Sequence, residues 1–197
     1  MNKEAKIHLS ALESELVTNT QWIFTKQSII KKVQLILGDL HEYYKQVVQE
    51  EKEFLPEILQ KPGGKITKGE NYKGLPYLIL DYPALYSKED IFVVRTMFWW
   101  GNFFSITLQL SGSFASQYNQ GLAEAIQDDL LEGWYINATN EMWDHHFEET
   151  NYIPVDSLTT ITGHSSIKLA KKIPLHQWDN ALVFLQQNFE TMIALLR

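Results

Sequence analysis

The heptapeptide Trp143-Asp144-His145-His146-Phe147-Glu148-Glu149 sets two imidazoles among three carboxylates. On a strand, Asp144, His146 and Glu148 would share one face, with His145 and Glu149 on the other. Imidazole nitrogen plus carboxylate oxygen suits zinc, iron or manganese, and three protein ligands leave a position open for an activated water. His164, in the Gly163-His164-Ser165 turn, offers a fourth ligand. The chemistry of such a cluster would be metal-assisted hydrolysis. Its spacing matches no zinc motif: His-Glu-x-x-His is absent, and His41-Glu42 has no second histidine four residues beyond His41. The competing reading is two solvated histidines in an acidic surface loop.

Two cations interrupt otherwise apolar strand patterns. Arg95 lies in Ile91–Trp100, the first arm of a hairpin whose second arm is Phe103–Ser111. The arms flank Gly101-Asn102, a dipeptide that tolerates positive φ and favours a two-residue turn. With that turn, Trp99 faces Phe104 and Arg95 faces Leu108, which sets the guanidinium among apolar side chains. A one-residue bulge instead aligns Phe92, Val94, Thr96 and Phe98 with the apolar face and turns Arg95 towards Ser105, Thr107 and Gln109. A buried guanidinium needs an acidic partner or an anionic ligand. Lys171 breaks the alternation of Ile167, Leu169, Ile173 and Leu175 in the same way, so Arg95 and Lys171 together suggest a small anion pocket. Snorkelling of both side chains to water is the plainer reading. Both faces of the first arm are apolar or aromatic, so a second layer, another copy of the chain or a ligand must cover the face away from the helices. Trp99, Trp100, Phe103 and Phe104 would line any such pocket.

The elements that position these residues are read from periodicity. Ala5, Leu9, Leu12 and Leu16 mark a short helix broken by Thr18-Asn19-Thr20. A longer helix is expected from an N-cap at Thr25, with a Phe24–Ile29 staple and a stripe running from Ile29 to Val48. Lys65 to Gly74 reads as a flexible connection. It is no phosphate loop, since Leu59 and Ile66 stand where a glycine and a hydroxyl residue are required. Leu75–Tyr82, bounded by prolines, reads as an edge strand. Ser113–Leu131 is predicted helical. Residues 134–147 are ambiguous between strand and turn, Ser157–Thr162 suggests a short strand and Ile167–Leu175 a clear one. A final helix carries Trp178 to Leu196. Helices and strands do not alternate regularly. The fold class is therefore α+β, an antiparallel sheet centred on the 91–111 hairpin and packed by N-terminal, middle and C-terminal helices. One domain is expected over 1–197, helical to about residue 60 and sheet-containing from about residue 65.

Composition narrows the function classes. The 197 residues are 45% hydrophobic and 13% aromatic, enough for a real core. Without cysteine there is no disulfide, thiolate ligand or thiol nucleophile. No apolar segment follows the charged Met1–Lys6, and no run reaches membrane-span length, so neither a signal peptide nor a membrane partner is expected and the expected location is cytoplasmic. Asn137-Ala138-Thr139 matches a glycosylation sequon only by chance in that setting. The net charge of −7 is unevenly spread. Between Thr96 and Ile167 there are nine acidic residues and no Lys or Arg, which argues against nucleic-acid binding. Ser111-Gly112-Ser113 lacks the second glycine of a nucleophile elbow. The leading expectation is a non-catalytic domain that binds a small anionic ligand or a homo-oligomer partner through the aromatic hairpin. A metal-assisted hydrolase is the alternative, and no cofactor is implied.

Overall fold

The structure is a computed structural model that describes residues 7–60, 63–139, 141–156, 158–161 and 165–197. Among these lie four α-helices and one seven-stranded sheet, with every strand pair antiparallel. The α+β class read from the sequence is the observed one. The chain forms two compact units, one up to Leu35 and one from Ile36 onwards.

The first unit holds α1 (Ala11–Thr18) and the start of α2 (Thr20–Glu50). Ser10 and Glu13 form a reciprocal capping box that opens α1. Asn19 ends α1, and its side chain accepts the Trp22 N–H at 2.9 Å. The expected break is therefore present, but α2 begins at Thr20 and not after Thr25, because Asn19 already supplies the cap.

The second unit is built on the sheet β1-β2-β3-β4-β7-β5-β6. Its strands are β1 (Lys65–Tyr72), β2 (Leu75–Tyr86), β3 (Ile91–Trp99), β4 (Phe103–Ser111), β5 (Tyr135–Asn137), β6 (Tyr152–Pro154) and β7 (Ser166–Pro174). The segment 65–74 is a strand and a turn, not a flexible connection. Its Lys-rich, weakly apolar sequence is that of an edge strand with little to bury, so hydrophobic alternation does not reveal it. It pushes β2 inside the sheet. There Pro76 stands at the strand start and Pro83 at a register shift between Asp81 and Ala84, the two places where a proline disturbs a ladder least. Residues 158–161 form no strand, and Ser157 and Thr162 lie outside the described residues.

The hairpin closes through three residues, Trp100-Gly101-Asn102, with Gly101 at φ 75° and the Asn102 N–H donating to the Trp99 carbonyl at 3.1 Å. Trp99 therefore faces Phe103, and Arg95 faces Thr107. This register puts Phe92, Val94, Thr96 and Phe98 on one face with Phe104, Ile106, Leu108 and Leu110. Helices cover that face. Phe92 meets Phe114 and Tyr118 of α3 (Ser113–Gln127), and Phe98 and Phe104 pack on Trp178. Tyr44 of α2 stacks on Phe189 of α4 (Ala181–Ala194) and shares a 3.0 Å hydrogen bond with Thr96. The other face carries Asp81, Arg95, Thr107, Gln109 and Lys168, aligned by the same ladders. It is covered as well, by irregular chain between β5 and β6.

Candidate functional site

Across the polar face, Asp81 of β2 lies directly opposite Arg95 of β3. The guanidinium grips the carboxylate with a fork, Nε to Oδ1 at 2.7 Å and Nη2 to Oδ2 at 2.8 Å. Tyr86 donates to Asp81 Oδ2 at 2.8 Å and accepts from Arg95 Nη2 at 3.1 Å. The Arg95 and Asp81 side chains are only 11% and 18% exposed. Burial works against the charge on Arg95, but the Asp81 hydrogen bond and charge outweigh it and hold the guanidinium above its ordinary value. Trp143 closes the outer side, stacked on Tyr86 and lying 5.7 Å from the guanidinium carbon.

The remaining Arg95 nitrogen, Nη1, lies 2.7 Å from His145 Nε2. Arginine only donates, so Nε2 accepts and the imidazole proton sits on Nδ1. Burial, followed by the charges of Lys168, Arg95 and His146, drives His145 well below the usual histidine range and keeps it neutral. Its Nδ1 is buried and has no hydrogen-bond partner among the described residues.

Lys168 of β7 is fully buried on the same face, directly across from Gln109 of β4. Its ammonium donates to the Asp144 carbonyl and lies 5.2 Å from the centre of the Tyr152 ring. Burial pushes this lysine down to about 8. The Gln109 carboxamide is also fully buried, and among the described residues neither its nitrogen nor its oxygen has a partner. Asn137 fixes the strand here, its side-chain oxygen accepting the Lys168 N–H at 2.8 Å.

The cover is held from β1. The Tyr72 phenol oxygen accepts the N–H groups of His145 at 2.6 Å and His146 at 3.2 Å, and its own proton goes to His146 Nδ1 at 2.8 Å. Asn151 ties the turn behind it, donating to the His146 carbonyl at 2.6 Å and accepting from the Glu148 N–H at 2.9 Å. A Tyr72→Phe variant leaves two backbone donors without their acceptor. It is expected to destabilise by about 1–3 kcal/mol and to raise amide exchange at His145 and His146 selectively. Uniform exchange across the sheet would show that Tyr72 does not anchor this segment.

The residues singled out from the sequence divide between several places. Arg95 belongs to the cluster. Lys171 does not: it lies on the helix-covered face, where it reaches the Glu132 carbonyl at 3.3 Å and the Trp134 ring. The two cations are on opposite sides of the sheet because Arg95 aligns with Thr107 and Ala170, one residue off the Lys171 face. Trp99 and Phe103 are buried beside the cluster with Ile79 and Met97, and the Trp99 indole donates to the Tyr72 carbonyl at 3.3 Å. Trp100 is half-buried, edge-on to Phe98, and Phe104 lies on the helical face.

Of Asp144, His146 and Glu148, the structure brings together His146 and Glu148, with Nε2 3.8 Å from Oε2, but the three do not share one strand face, because residues 141–147 are irregular and strand alternation does not apply to them. Glu148 is 59% exposed and pairs with Lys73 at 3.1 Å, while His146 turns to Tyr72. Among the described residues no three His, Asp or Glu side chains are grouped to hold a metal ion, and His164 lies outside them.

The sequence patterns above do not point to Lys168, Gln109, Asp81 or Tyr72. The usable signal was the polar side of three strands read together, Arg95, then Thr107 and Gln109, then Lys168. No helix among the described residues is long and apolar enough to cross a membrane. No protein family, curated protein or solved structure matches the chain.

Proposed function

We propose that this chain is a binding protein that takes a small oxyanion, a carboxylate, phosphate or sulfate group, between Lys168, His145 and Gln109. The observation that carries the reading is an excess of buried donors over acceptors. Lys168 has three ammonium hydrogens and one carbonyl to receive them. Among the described residues His145 Nδ1–H has no acceptor, and the Gln109 amide has no partner. Leaving such groups unpaired costs about 1–3 kcal/mol each, more for a charge. Asp81 is the acidic partner that Arg95 required, which leaves Lys168, whose burial the Asp144 carboxylate offsets only in part, as the cation whose charge an anion would meet. In this reading Arg95 is a positioning residue that fixes the His145 tautomer. The hairpin aromatics Trp99 and Phe103 form the rigid wall behind it, and access requires the Trp143 segment to lift.

The test is thermal unfolding in phosphate, sulfate or acetate against chloride at equal ionic strength, with Lys168→Met as the control. One anion is expected to raise the melting temperature with the logarithm of its concentration above Kd, by about 2.7 kcal/mol of stability at a hundred times its Kd, and Lys168→Met is expected to abolish the rise. If no anion raises the melting temperature above that in chloride, or if the variant responds like the parent, the site does not bind anions.

A further inference from the structure

The N-terminal unit raises a separate question. Its α1 is eight residues long and buries none of them. Helices this short are marginal in water unless an apolar face is packed against something. Leu9, Leu12, Leu16, Val17, Ile23 and Phe24 are nonetheless exposed, at between 39% and 67% of their surface. So many exposed large apolar side chains in one short stretch mark a contact.

The chain limits what can fill it. Asn19 alone separates Thr18, the end of α1, from Thr20, the start of α2. Antiparallel helices need a connection of roughly two to five residues, so α1 cannot fold back along its own α2. It can lie along the α2 of another copy. Charge supports that pairing. Glu13 and Glu15 are the only charged residues of α1, whereas the stretch from Thr20 to Leu35 carries Lys26, Lys31 and Lys32 and no acidic residue. An acidic apolar helix and a basic apolar helix, joined too tightly to meet within one chain, match between chains. A two-fold axis satisfies both matches at once, because each copy supplies one helix of each kind.

We infer that the protein forms a reciprocal homodimer in which α1 of each copy packs on the N-terminal half of α2 of the other. Neither this unit nor the inference depends on the anion site.

Analytical ultracentrifugation of the full chain tests it. The expected species is a dimer of the 22.9 kDa chain. Leu12→Asp with Leu16→Asp should yield monomer. Glu15→Lys, which spares the Ser10–Glu13 capping box, should weaken association about tenfold at low salt, equivalent to about 1.4 kcal/mol. Adding Lys31→Glu and Lys32→Glu to that variant should restore it. A parent chain that remains monomeric at about 100 μM, weaker than most specific association, would overturn the inference. So would a dimer indifferent to all these substitutions, or a monomer that floats with vesicles of anionic lipid through the same apolar residues.

Discussion

Asp81→Asn is expected to lower the stability of this protein by about 3–5 kcal/mol, because it leaves the Arg95 guanidinium buried without its counter-charge. The substitution keeps size and shape, so the loss isolates the charge. Arg95 would retain Tyr86 and His145 as neutral partners, which do not offset the desolvation of a cation. For a chain of this length the loss corresponds to a fall in melting temperature of roughly 10 °C. The exposed pair Lys73–Glu148 provides the contrast. Its 3.1 Å separation resembles that of Arg95 and Asp81, but its side chains are 43% and 59% exposed. Solvent screens it, so Glu148→Gln should cost less than about 1 kcal/mol. A double variant, Asp81→Asn with Arg95→Met, should regain much of the loss, since it removes the stranded charge along with its partner. Urea denaturation of the four proteins gives the comparison. If Asp81→Asn unfolds within 1 kcal/mol of the parent, or the double variant is worse than the single, then the pair does not neutralise a buried charge and Arg95 must be solvated.

The energetic asymmetry between those pairs also explains which parts of the structure the amino-acid sequence conveyed. The α+β class was legible because β3, β4, β7 and the long helices carry strong periodic patterns, and burial follows period where an element is regular. The direction of Arg95 depended on one residue of loop length. A two-residue turn at Gly101-Asn102 would have set Arg95 against Leu108. The three-residue turn instead matches Phe98 to Phe104 and Val94 to Leu108 and sets Arg95 against Thr107. Local turn preference lost to the packing of a whole apolar face, a competition that needs the helices in place before it can be judged. Lys168 was hidden for another reason. It alternates onto the polar side of β7 with the half-buried Lys172, and nothing local distinguishes the two. What buries Lys168 is the chain around Asp144 and Tyr152, whose path is set by Tyr72 and Asn151 hydrogen bonds and not by any hydrophobic period. β1 was missed on similar grounds, since an edge strand that buries little leaves little pattern. Asp144, His146 and Glu148 would share one face only on a strand, and the chain there is held irregularly.

Lys168 supplies the second large effect, and it runs against intuition: removing this buried residue should stabilise the protein near neutral pH. Burial lowers the ammonium from 10.5 to about 8, a depression worth about 3 kcal/mol to the unfolded state while the lysine is charged in both states. The sign follows from proton counting. Between pH 8 and 10.5 the unfolded chain keeps the proton that the folded chain has released, so unfolding takes up protons and stability rises with pH. Below pH 8 both forms are protonated and the full penalty remains. Above about pH 10 the trend reverses as unfolded tyrosines ionise, because burial raises Tyr44, Tyr86 and Tyr152 in the fold. The parent protein is therefore expected to gain stability from pH 8 to pH 10, and Lys168→Met to show a flatter profile. At pH 7 the variant should be more stable by about 1–2 kcal/mol, once the Asp144 carbonyl that it strands is counted against the relieved charge. Denaturant midpoints at pH 7, 8, 9 and 10 measure both effects. A parent profile that is flat over that range, or a variant less stable than the parent at pH 7, would mean that Lys168 is well compensated in the fold itself. Under the proposed reading, a lysine that weakens its own fold at neutral pH, beside an imidazole N–H and a carboxamide with no partner among the described residues, is a charge kept for a bound anion. An anion bound there would satisfy all three groups and hold the lysine protonated. With phosphate, sulfate or acetate bound, the same titration should move the rise to higher pH, which links the stability defect and the proposed activity through one side chain.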